Sequence, residues 1–116
     1  HIPYNYDNKV CEFEYAKNGM IGLESLFGVV GAVVNGQWAI GKLVEKLTEA
    51  PRRIFGLPVP VIAEKAVAKL TLFNPSTEYV LDESMIRSKS KNSAFIGKQL
   101  KGKVIGIING DKMYLN

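Results

Sequence analysis

The stretch Arg53-Ile54-Phe55-Gly56-Leu57-Pro58-Val59-Pro60 divides the character of this chain in two. Proline lacks a backbone N–H and steers the residue before it away from the helical region, so Pro58 and Pro60 stop a helix and resist a central strand. Upstream, apolar residues recur at helical spacing. Downstream, they gather in short β-rich runs punctuated by Asn-Pro and Asn-Gly. The expected fold class is therefore α/β, with residues 1–57 helical in character and residues 58–116 forming strands.

Immediately upstream, Thr48 is expected to cap a short helix with Pro51 in its first turn and Gly56 past its end. Before it, Trp38 to Leu47 forms an amphipathic helix, with Ile40, Leu43, Val44 and Leu47 on one face and Lys42, Glu45 and Lys46 on the other. Ile21 to Val34 is also helical in pattern and ends at Asn35-Gly36, but its apolar residues cover nearly the whole circumference. Such a helix is buried on more than one side. Residues 1–20 show no period and carry Pro3, Asn5, Asp7, Asn8, Asn18 and Gly19, the pattern of a long loop.

Downstream of the prolines, Lys69 to Phe73 is expected as a strand ended by Asn74-Pro75, followed by Thr77 to Leu81. Val104 to Ile108 and Lys112 to Leu115 flank Asn109-Gly110, the strongest short hairpin signal. These few strands make an incomplete sheet whose edges need partners.

Composition bounds the function. With 47% hydrophobic and 22% charged residues, the 116-residue chain is globular rather than disordered. Its longest apolar stretch, Val29 to Val34, is far short of the roughly 18 residues of a membrane span. Cys11 is the sole cysteine, which excludes an internal disulfide and fits a reducing compartment. The net charge of +4 is concentrated between Met85 and Gly110 in Arg87, Lys89, Lys91, Lys98, Lys101 and Lys103, with no acidic residue among them. Phe95 is the lone aromatic there, so a solvated loop is the better reading than a nucleic-acid surface.

The chemistry of a complete active site is missing. One histidine and one cysteine cannot build a Cys/His zinc site, which takes three or four protein ligands. His1 and Cys11 on one loop make a poor nucleophile–base pair, with nothing nearby to orient them. Gly19-Met20-Ile21-Gly22 is too short for a phosphate-binding loop and follows no strand.

Five segments nevertheless resemble one enzyme family in the right order. They are His1-Ile2-Pro3 with Lys9, Phe13 and Gly19-Met20-Ile21-Gly22-Leu23-Glu24; Leu47 to Leu57; Ala68 to Pro75; Ser88 to Gly97; and Leu100 to Gly110. This series is similar to the C-terminal portion of the dihydroorotases, cyclic amidohydrolases of the amidohydrolase superfamily. The resemblance implies a (β/α)8 barrel, with residues 1–57 at its C-terminal end and residues 58–116 in a small composite β-domain built from both chain ends. It also implies a zinc centre in the missing N-terminal part, where metal activates water against the ring amide of dihydroorotate. A proton-shuttling aspartate would stand directly before His1.

No metal ligand and no catalytic residue is thus expected in this chain, and the piece alone is expected to be inactive and poorly stable. The implied substrate-binding residues are Tyr4, Asn18, Gly19 and His1. Tyr4 stands where the family usually places a histidine that touches the substrate carboxylate, and it cannot become cationic near neutral pH. Asn18 and Gly19 fall where the backbone meets the dihydropyrimidine ring. His1 serves either the site or the packing beneath it. Lys65 and Lys69 also depart from the family pattern, which usually has glycine and aspartate there.

The implied parent is a cytoplasmic homo-oligomer acting on a small molecule, with no nucleic-acid or membrane partner. Its other partner is the remainder of the same enzyme. Competing readings are a non-catalytic dihydroorotase-like scaffold, favoured by Tyr4, another cyclic amidohydrolase such as an allantoinase or hydantoinase, and an independent interaction module.

Overall fold

The computed structural model describes residues 5–116. A 3-10 turn, Tyr6–Asn8, opens a long loop. Three helices follow, α1 (Leu26–Val34), α2 (Ile40–Leu47) and α3 (Glu49–Ile54). The strands are β1 (Lys69–Val80), β2 (Gln99–Asn109) and β3 (Lys112–Leu115), with a second 3-10 turn at Glu83–Met85. The fold is mixed helix and sheet, and its sheet is small and antiparallel in the order β1-β2-β3.

Helix α1 begins five residues later than its apolar pattern suggests. Ile21 gives its N–H to the Asn92 carbonyl (2.9 Å), and Ser25 donates its hydroxyl to Gly22 O. These bonds satisfy polar groups that a helix would otherwise use, so the chain stays in turns until Leu26. Asn35 ends α1 in the left-handed conformation (φ 31°), followed by Gly36 at φ 82°, as the Asn-Gly pair predicts.

The helix lies along β2. Gly28 fits against Tyr79 and Leu100, Gly31 against the backbone of Lys101, and Phe27 stacks obliquely on Phe73 with ring centroids 4.7 Å apart. Only one face of α1 is covered among the described residues: Leu26 and Val33 are 44% and 73% exposed. The two-sided burial expected of this segment is therefore not met by these residues alone.

Helix α2 begins at Ile40 rather than Trp38, with Leu43 buried, Val44 and Leu47 half-buried and Lys42 and Lys46 exposed. Ile40, expected on the apolar face, is exposed among the described residues. Thr48 joins α2 to α3, but its side chain does not cap α3; the hydroxyl donates back to Val44 O at 2.7 Å. Gly56 closes α3 at φ 64°.

Two expected strands prove to be one. Asn74-Pro75 does not end β1; it forms an irregularity, with the β1–β2 register shifting between Asn74 and Glu78. Proline cannot donate to a ladder, and the Asn74 side chain accepts Ser76 N (2.9 Å), so the strand passes its proline by bulging. β2 also starts earlier than expected, at Gln99. The hairpin at Asn109-Gly110 is as expected, with Gly110 at φ 63°.

The buried core is thin. Ile21, Leu81, Ile86 and Leu100 are 3–4% exposed, and no described side chain falls below 2%. The radius of gyration, 16.5 Å, exceeds the roughly 13 Å of a compact domain of this length.

Candidate functional site

Of the four residues singled out for substrate binding, His1 and Tyr4 lie outside the described residues. Asn18 and Gly19 are described, and both are exposed at the end of the loop. Gly19 has φ 94°, a conformation that L side chains rarely adopt, which is a backbone reason for glycine here.

The loop is held from within and from outside. The Asn5 N–H donates to Asn8 Oδ1 (3.2 Å), and Lys17 N donates to Asn8 O (3.1 Å). The Lys9 ammonium reaches two carbonyls, Lys17 O in a short contact and Gly19 O at 2.7 Å. From the far half of the chain, the Asn92 side-chain amide donates to the same Gly19 oxygen at 3.0 Å.

Asn92 belongs to a strap, residues 86–93, that fastens residues 19–25. One oxygen of Glu24 accepts the backbone N–H groups of Arg87 and Ser88, each at 3.0 Å. Ile86 and Leu81 close over Ile21, and Ser25 is buried beside them. This strap is the first part of the basic stretch noted in the sequence; Lys101 and Lys103, expected in a solvated loop, lie in β2 instead. Arg87, Lys89 and Lys91 are all exposed, and the Lys91 ammonium folds back on the strap to donate to Ile86 O and Glu83 O. Lys101 likewise bonds Asn35 Oδ1 (3.2 Å). Sequence reasoning did not find Asn92 or Glu24 as supports of the loop. Their partners lie 73 and 63–64 residues away, and no local pattern encodes such pairs.

Next to the strap, an open cleft of about 420 Å³ runs between α1 and the sheet, lined by Phe27, Tyr79, Met85, Val104, Arg87 and Lys103 among others. Burial pushes the Tyr79 phenol above its usual range. At the start of the second 3-10 turn, Ser84 donates hydrogen bonds that hold the Asp82 carboxyl below the usual carboxylate range.

The described residues do not fit a zinc site. No group of three or more His, Cys, Asp or Glu side chains converges among them. Cys11 is exposed, and its thiol faces the Asn8 carbonyl. Nor is any helix of the described residues long and apolar enough to cross a membrane.

Fold and loop together define a mixed helix–sheet chain with a pinned loop and, among the described residues, no converged set of acids, histidines or thiols. No family model matches the chain. Curated proteins do. It is 36% identical to a dihydroorotase of Anaeromyxobacter dehalogenans over 114 residues, which is 97% of this chain and 26% of that protein. It is 34% identical to a dihydroorotase of Chlorobaculum tepidum over 99% of the chain and 27% of the relative. A dihydroorotase of Clostridium acetobutylicum is 38% identical over 98% of the chain and 28% of its own length. The chain is similar to dihydroorotases along nearly its whole length, and the matches are consistent with a C-terminal part of such a protein. It spans about a quarter of the length of the curated relatives it matches.

Proposed function

We propose that this chain is the C-terminal part of a zinc-dependent dihydroorotase. The parent would interconvert L-dihydroorotate and N-carbamoyl-L-aspartate in the cytoplasm, for de novo pyrimidine synthesis. The observation that carries the reading is similarity to dihydroorotases along 97% of the chain. A second observation agrees with it: the two described candidate residues, Asn18 and Gly19, sit on a loop fixed by bonds from both halves of the chain.

In this reading residues 1–57 complete a (β/α)8 barrel, and residues 58–116 supply strands to a small composite β-domain. Open sheet edges, a helix covered on one face and a thin core support a chain that packs against more protein. The zinc ligands belong to the remainder of the enzyme. The role of this chain at the site is to bind and orient: Asn18 and Gly19 present backbone to the dihydropyrimidine ring, Tyr4 offers a hydroxyl toward the substrate carboxylate, and His1 stands beside the site. A homo-oligomeric parent is part of the same proposal.

One sequence feature favours a second reading, a dihydroorotase-like scaffold without activity. Tyr4 replaces the usual histidine and cannot supply a cation to a carboxylate. Dihydroorotate hydrolysis by the full reading frame containing this chain, loaded with zinc and followed by ultraviolet absorbance, separates the two. Turnover establishes the enzyme and shows that Tyr4 suffices. Folded, metal-loaded protein without turnover supports the scaffold, or a different cyclic amide as substrate.

A further inference from the structure

The bonds that converge on Gly19 have a consequence for the site. Its carbonyl oxygen accepts the Lys9 ammonium at 2.7 Å and the Asn92 side-chain amide at 3.0 Å. No cis peptide occurs among the described residues, so the Gly19–Met20 unit is planar and trans. Fixing the carbonyl therefore fixes the whole peptide plane and turns the Met20 N–H to the side opposite Lys9 and Asn92. Glycine at φ 94° has wide backbone freedom, so without these two donors the plane is free to rotate. Asn92 is itself held, because its N–H donates to Ser90 Oγ (3.3 Å) and its carbonyl accepts Ile21 N (2.9 Å).

We propose that Asn92 and Lys9 are positioning residues for substrate binding: they set the orientation of the Gly19 peptide that meets the ring. This inference rests on the reading of Asn18 and Gly19 as substrate-contacting groups. It assigns the strap a task that its basic composition does not suggest, since the neutral Asn92, rather than the exposed Lys89 or Arg87, reaches the loop. Neither residue touches the reacting atoms in this account, so its loss acts on binding more than on the chemical step.

The test uses the full reading frame with four substitutions. Asn92→Ala removes the side-chain donor but keeps the Asn92 carbonyl that receives Ile21 N, so the strap stays docked. Lys9→Met removes the second donor, Lys9→Arg restores a cationic donor, and Lys89→Ala is a control in the same strap. Asn92→Ala and Lys9→Met are each expected to raise KM for dihydroorotate about fivefold, the scale of one lost hydrogen bond, with kcat within about twofold. Lys9→Arg should recover most of the loss, and Lys89→Ala should match the parent.

A second readout is independent of activity: trypsin cleavage after Lys17, followed by mass spectrometry, should quicken severalfold in Asn92→Ala and not in Lys89→Ala. A parental KM in Asn92→Ala, or a fall in kcat and melting temperature without a change in KM, overturns the proposal. If the parent itself has no turnover, the proposed function fails instead. The cleavage rate then decides the clamp alone: faster cleavage in Asn92→Ala upholds it and an unchanged rate overturns it.

Discussion

Gly31 of α1 lies directly on the backbone carbonyl of Lys101 in β2, closer than any Cβ could approach. The neighbouring Gly28 meets Tyr79 and Leu100 in the same way, with Tyr79 Cζ and Leu100 Cβ 3.1 and 3.2 Å from where its Cβ would stand. Gly102, in β2 at φ 96°, receives the Phe27 ring of α1. Gly28 and Gly31 weaken α1 as an isolated helix, by roughly 1 kcal/mol each relative to alanine. They let helix and sheet backbones touch, and that contact joins the first half of the chain to the second.

Gly31→Ala is therefore expected to destabilise. Overpacking against a backbone atom costs about 1–3 kcal/mol, which outweighs the gain in helix propensity. Gly41, in α2, faces open space. Gly41→Ala should be neutral or stabilising by about 0.5 kcal/mol. Urea unfolding of the two variants checks the pair; equal effects would mean that α1 does not rest on β2.

Glu24 should matter more than an exposed carboxylate usually does. It is the acceptor for the N–H groups of both Arg87 and Ser88, and neither backbone donor can move away without undocking the strap. Glu24→Ala is expected to cost about 1–2 kcal/mol, with Glu24→Gln, which keeps one acceptor oxygen, costing less. Hydrogen exchange at the Arg87 and Ser88 amides reports the change directly. Protection unchanged in Glu24→Ala would remove the carboxylate from the strap's support.

Two groups give opposite pH dependences. The folded Asp82 carboxyl titrates below its ordinary range because of hydrogen bonds from Ser84, so its contribution to stability is complete above about pH 4 and is lost as the pH falls through the lowered value. The Tyr79 phenol titrates above its ordinary range because of burial. Stability is thus unaffected by it below about pH 10 and falls as the pH rises through the raised value. Carboxyl NMR shifts for Asp82 and phenolate absorbance for Tyr79 measure each. An Asp82 midpoint that stays at the ordinary value in Ser84→Ala and parent alike would sink the first assignment.

The 116-residue chain on its own should behave as an incomplete body. Phe13, Ile54, Phe55 and Ile62 are 76–96% exposed, and the buried core is confined to a few side chains. Isolated, the chain is expected to bind a hydrophobic dye and to self-associate on size exclusion. A sharp, cooperative melt of a monomer would favour the independent interaction module instead.

Local chemistry was legible in the sequence alone. Pro58 and Pro60 separated helices from strands because proline forbids the hydrogen bond that either element needs. Asn35-Gly36, Gly56 and Asn109-Gly110 marked their turns because each holds a positive φ that few residues tolerate. The same local order, continued over nearly the whole chain, carried the family resemblance.

Tertiary structure decided what depends on distant partners. Ile21 to Ser25 stays out of α1 because Asn92 takes the Ile21 N–H and the strap takes Glu24. β1 runs through Asn74-Pro75 because β2 continues beside it on both flanks of the bulge. The first part of the basic stretch becomes a strap, and Gly19 becomes a fixed point, through hydrogen bonds spanning more than 60 residues. Periodicity reports which way a side chain faces within its own element. The choice among competing acceptors is made only once the chain has brought them together.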